Sequence, residues 1–137
     1  MNALGRSLLL VATMALATGC SSEEPEDHET PTAAKLYGPG GQELTPNVAL
    51  ARGQTIRIEV RFYAADGDQI TGLEDEHATA LTFSPATLAT AGSVSGQPFS
   101  FDVVAQNAAG SGTVSVGFGH GSNTTEKTFG PFQVAIP

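Results

Sequence analysis

Thr55-Ile56-Arg57-Ile58-Glu59-Val60-Arg61-Phe62-Tyr63 alternates without a break. Ile56, Ile58, Val60 and Phe62 share one side, and Arg57, Glu59, Arg61 and Tyr63 the other. A period of two belongs to an extended strand with one buried face; a helix would scatter the same residues around its circumference. The run predicts a half-buried strand whose even-numbered side chains face a core. Ala64-Ala65-Asp66-Gly67-Asp68 follows, and its Asp-Gly pair suits a tight turn because glycine tolerates positive φ.

The same period recurs on both sides of this strand. Ala78 to Phe83 predicts a strand that Ser84-Pro85 ends, with Leu81 and Phe83 on one side. Phe99, Phe101, Val103 and Ala105 predict another, opposed by Ser100, Asp102 and Gln106. Asn107 to Gly112 reads as a turn of small residues, and Thr113 to Phe118 as a strand with Val114, Val116 and Phe118 inward. Phe132, Val134 and Ile136 form the last strand, with shorter ones near Lys35 to Tyr37 and Val48 to Ala51. No window of eleven or more residues in the domain, free of glycine and proline, holds a helical period. Short strands at such intervals predict an all-β fold, a single antiparallel β-sandwich over residues 35–137. Ile58, Val60, Phe101 and Val116 are the expected centre of its core.

The chain has 137 residues, with 14 acidic and 6 basic side chains, a net charge of −8 and one cysteine. That length suits one domain. No basic stripe exists to displace counterions from phosphates, which argues against nucleic acid. One cysteine excludes an internal disulfide and a cysteine-clustered zinc site.

Met1 to Arg6 carries one positive side chain, and Ser7 to Ala17 is apolar apart from Ser7 and Thr13. Some eleven residues at about 1.5 Å each span only about 16 Å, roughly half a bilayer core, so a secretory signal is expected rather than a spanning helix. The small residues Ala17-Thr18-Gly19 then precede Cys20, the sole thiol. This resembles the lipobox of bacterial lipoproteins, although Leu16 lies one position before that family's usual leucine. The resemblance implies that residues 1–19 are removed as signal peptide and that Cys20 is lipidated, with diacylglycerol on sulfur and a further acyl chain, commonly palmitate, on the new amine. Two or more chains anchor stably. Ser21 after the cysteine implies the outer membrane in a Gram-negative cell. The remaining alternative is an ordinary secreted protein with a chance cysteine.

Residues 20–34 form the expected tether. Glu23, Glu24, Glu26, Asp27 and Glu29 crowd together, Pro25 and Pro31 block helix, and no large apolar residue is present. Such a segment buries too little to offset chain entropy and is expected to be disordered, a spacer reaching at most about 50 Å.

Leu50-Ala51-Arg52-Gly53-Gln54-Thr55 leads into the alternating strand, and Ala109-Gly110-Ser111-Gly112-Thr113-Val114-Ser115-Val116 joins a glycine-rich turn to a later one. Both resemble the corresponding stretches of bacterial immunoglobulin-like (Big) domains, without that family's usual tryptophan. The resemblance implies an immunoglobulin-like sandwich and a stalk, adhesion or interaction role in the cell envelope, without catalysis.

Counting by twos, His77 aligns with Thr79, Leu81 and Phe83, and His120 with Val114, Val116 and Phe118. Both histidines are thus expected at strand ends with inward parity, where they can meet at one rim. With Asp75 on the parity of His77, they offer nitrogen and oxygen donors for zinc or copper. The alternative is a pair of hydrogen-bonded rim histidines. Asp66, Asp68, Glu74, Asp75 and Glu76 read as a plain acidic hairpin and connecting loop; the rival reading is oxygen ligands for calcium, without the pattern of an EF-hand. No Gly-x-Ser-x-Gly elbow or phosphate loop is present, so no enzyme is expected. Arg57, Arg61 and Tyr63 share the exposed face of their strand and form a candidate patch for an envelope protein or glycan, arginine and tyrosine being enriched at interfaces.

Overall fold

The structure, a computed structural model, describes residues 30–137. The signal-like stretch, Cys20 and most of the acidic tether lie outside the described residues. Among the described residues nine strands are found: β1 (Ala33–Tyr37), β2 (Asn47–Ala49), β3 (Thr55–Tyr63), β4 (Gln69–Ile70), β5 (His77–Ser84), β6 (Ala89–Val94), β7 (Gln97–Ala105), β8 (Gly110–His120) and β9 (Lys127–Ile136). They form two sheets. One runs β1-β3-β7-β6 with β4 beside β3; the other runs β2-β9-β8-β5. These orders match the ABED and CFG sheets of an immunoglobulin domain, with β2 added beside the last strand.

The quoted strand behaves as its alternation requires. Ile58, Val60 and Phe62 in β3 are buried, as are Phe99, Phe101, Val103 and Ala105 in β7, and Val114, Val116 and Phe118 in β8. Gly67 takes φ 93° in the turn after β3, where its N–H bonds the Ala64 carbonyl. Phe62 lies at the centre of an aromatic cluster, 5.2 Å from Phe99, 4.7 Å from Phe118 and 5.5 Å from Phe129 between ring centroids. Immunoglobulin domains of antibodies fill such a position with a tryptophan against a disulfide; here phenylalanines from both sheets occupy the space.

Several expectations need correction. The sheets are not wholly antiparallel, because β2 pairs in parallel with β9, Val48 opposite Val134. β2 reaches its sheet by a crossover from β1 rather than a hairpin, and a crossover permits a parallel neighbour. The tether boundary also moves. β1 begins at Ala33, with Ala34 buried opposite Phe62, and the Thr32 N–H already bonds the Tyr63 carbonyl. Gly110 to Gly112, read as turn, opens β8 instead. A side chain on Gly112 would strike the Ser84 carbonyl and Leu88, so glycine here serves close packing.

β9 is longer than its sequence pattern, starting at Lys127. Its ladder with β8 shifts between Val114 and Val116, which face Phe132 and Phe129 respectively. Gly130 and Pro131 form the resulting bulge, where proline's missing N–H costs no ladder bond. The extra residue puts Phe129 on the same side as Val134 and Ile136 despite its opposite parity. Two long-range bonds hold residues at the two poles of the sandwich. The Lys127 ammonium donates to the Pro31 carbonyl, and Arg52 Nε donates to the Pro137 carbonyl at 2.6 Å.

Candidate functional site

His77 and His120 face each other in the β5–β8 ladder, ring centroids 4.2 Å apart. The expected meeting at one rim occurs, but in unequal surroundings. His77 is 6% exposed, while the His120 side chain is 67% exposed. Phe118 stacks on His77 at 4.7 Å with an interplanar angle of 11°. His77 Nδ1 lies 3.0 Å from the Leu73 carbonyl, which can only accept, so that nitrogen carries the proton. Leu73 is itself buried in the connection between β4 and β5, so the hydrogen bond fixes the ring from below the sandwich rim.

The carboxylate that reaches the pair is Glu126, not Asp75. Its Oε2 lies 3.0 Å from His120 Nδ1, and that hydrogen bond is the main reason the Glu126 carboxyl is held below the usual glutamate range. Glu126 arrives because the β8–β9 connection folds back over β8. A side chain on Gly117 would strike the Thr124 carbonyl, and one on Gly119 the Asn123 carbonyl. These two outward-facing glycines within a strand were the available sequence signal for that close approach. Asp75 is exposed in the turn before β5. Among the described residues no group of three or more His, Cys, Asp or Glu side chains is placed to hold a metal ion. The acidic residues Asp66, Asp68, Glu74, Asp75 and Glu76 are all exposed, and Asp66 is engaged in its own turn, accepting from the Asp68 N–H at 3.0 Å.

Arg57, Arg61 and Tyr63 do share the outer face of the β1-β3-β7-β6 sheet, in a network that also takes in β1. Arg57 grips Asp102 across the β3–β7 ladder through two bonds of 2.7 and 3.2 Å. Arg61 holds Glu59 at 2.8 and 3.2 Å and lies over the Tyr37 ring, 4.2 Å from its centroid. Lys35 sits 5.2 Å from the Tyr63 ring centroid, and the two tyrosine hydroxyls meet at 2.6 Å. Hydrogen bonds to the carboxylates raise both guanidinium pKa values, and burial, helped by the Tyr37 hydroxyl, raises that of Tyr63. The result is a platform of two rings with cations laid against them.

Beside this platform the β3–β7 ladder ends at Glu59 and Ser100, and β4 takes the place beside Phe62 and Tyr63. A half-open cleft of about 330 Å³ lies in the fork, with Glu59, Arg61, Gln69 and Glu74 among its polar lining and Phe62 and Phe99 among its apolar lining. Among the described residues no helix is long and apolar enough to cross a membrane.

No protein-family profile matches the chain, and no curated protein does. Among solved structures it is similar to domains 4 and 5 of the S-layer protein SbsC, with 20% identity, a TM-score of 0.42, and coverage of 78% of this chain and 53% of that one. It is also similar to the ZirS C-terminal domain, with 11% identity, a TM-score of 0.36, and coverage of 98% and 84%. The chain thus spans about half the length of the S-layer fragment, and the sandwich assignment stands on the strand order described above.

Proposed function

We propose that this chain is a lipid-anchored, non-enzymatic module of a bacterial cell envelope that works by binding another envelope protein or a glycan. The observation that carries this reading is the placement of the only thiol. Cys20 stands directly after a short basic and apolar leader and the small residues Ala17-Thr18-Gly19, where lipoproteins are cut and acylated. Residues between Cys20 and β1 supply a spacer that holds the domain off the bilayer, and Ser21 directs it to the outer membrane in a Gram-negative cell. The platform of Lys35, Tyr37, Arg61 and Tyr63 supports a recognition role. Rings paired with ordered cations offer apolar area and hydrogen-bond donors at little entropic cost, as interface residues do.

The test is fractionation of cells expressing the full chain. Wild type is expected in the membrane pellet, released only by detergent, with an acylated Cys20 by mass spectrometry of the mature N-terminus. Cys20→Ala is expected to move to the soluble fraction or to remain as uncut precursor. A mature wild-type chain with an unmodified thiol contradicts the proposal.

A further inference from the structure

We propose that β5 is a self-recognition edge, through which two copies of this chain pair antiparallel and merge their β2-β9-β8-β5 sheets into one. Edge strands carry unpaired backbone donors and acceptors, and folded proteins ordinarily blunt them. Three of the four edges here are blunted. β1 is short and carries Lys35, β2 has only three residues, and β6 contains Gly92 and a register shift at Ser93/Val94. β5 is different. It is eight residues long, it pairs with β8 from His77 to Ser84 without a register shift, and it contains no charged residue and no proline. Among the described residues no strand pairs with its other side.

The hydrogen-bonding pattern gives the register. The Glu76 carbonyl accepts from the Gly121 N–H, so Glu76 and alternate residues after it turn their backbone groups toward β8. Thr79, Leu81 and Phe83 therefore turn theirs outward. An antiparallel two-fold pairing that matches these groups sets Leu81 against Leu81 of the partner subunit, and Thr79 against Phe83 of the partner subunit. Each pair then exchanges both of its backbone hydrogen bonds, and the interface is isologous, as closed dimers require.

Charge selects the second copy and the antiparallel sense. From His77 to Thr125 the only charged residue is Asp102, on the other sheet, so two net-negative molecules can approach along this flank without direct repulsion. The acidic run Glu74-Asp75-Glu76 stands just before β5. A parallel pairing would bring two such runs together, whereas the antiparallel one lays each beside the neutral Ala86-Thr87-Leu88 of the other copy. Edge pairing of one strand buries less than the roughly 1,200 Å² of a standard stable interface, so the dimer is expected to be weak in dilute solution and to gain from confinement.

The test uses the full chain, in cells and in detergent extract. Ala80 and Thr82 project from the outer sheet face and become directly opposed in the proposed register, so Ala80→Cys/Thr82→Cys is expected to give an oxidised, reductant-sensitive dimer. The wild-type chain serves as the control for Cys20. Adding Ala80→Lys/Thr82→Lys in an otherwise wild-type background is expected to lower the sedimentation-derived dimer fraction at least several-fold while leaving the circular dichroism spectrum unchanged. Cross-linking no greater than wild type, cross-linking to a different protein instead of a second copy, or an undiminished dimer in the lysine variant would each overturn the proposal.

Discussion

At the scale of single residues, the His120–Glu126 contact is the most sensitive reporter of the rim. The hydrogen bond with His120 holds the Glu126 carboxyl below the ordinary glutamate range, so the folded chain binds a proton there less readily than the unfolded one. The stabilising contribution is present above the unfolded carboxyl pKa and is lost as the pH falls through the lower, folded value. Carboxyl-carbon NMR titration is expected to show Glu126 protonating below an ordinary glutamate, and His120→Ala is expected to return its midpoint toward that ordinary value. An unchanged midpoint would contradict the contact. Half of this rim was readable beforehand. Parity counting brings His77 and His120 together because strand alternation is rigid, and they do meet. It could not supply Glu126, which lies in a connection whose path is set by contacts distant in sequence.

At the scale of elements, legibility followed the strength of the alternating pattern. β3 and β7 each place large apolar residues at every second position, and their core faces emerged as written. β6 reads Ala89-Thr90-Ala91-Gly92-Ser93-Val94, and as an edge strand of small residues it carries no alternation strong enough to detect. β9 was half legible, because the bulge at Gly130-Pro131 reverses parity and hides Phe129 from any count by twos. β8 shows the complementary error: its glycines suggest a turn, yet they lie within a strand that must pass beneath other backbone. Gly117→Ala is accordingly expected to destabilise the domain by about 1–3 kcal/mol, because its new methyl group meets the Thr124 carbonyl. Chemical denaturation would measure it, and a cost near zero would mean that the β8–β9 connection is free to lift.

At the scale of the whole molecule, stability rests on a core shared between two sheets without a disulfide across them. Phe101 is 2% exposed and stands opposite Ile58 in the ladder of β3 and β7. Phe101→Ala is expected to cost about 3–5 kcal/mol in equilibrium unfolding, a large part of the stability of a domain this size. A cost below about 1 kcal/mol would place Phe101 outside the core. The bonds that hold Pro31 and Pro137 have a mechanical consequence. Pro31 is held beside the start of β9 and Pro137 beyond its end, and the ten residues of β9 separate these points by roughly 30 Å. Tension drawn through the backbone between these points runs along the strands, at right angles to the hydrogen bonds of β1 with β3 and of β8 with β9. The load is then borne in shear by whole ladders at once rather than by one bond after another.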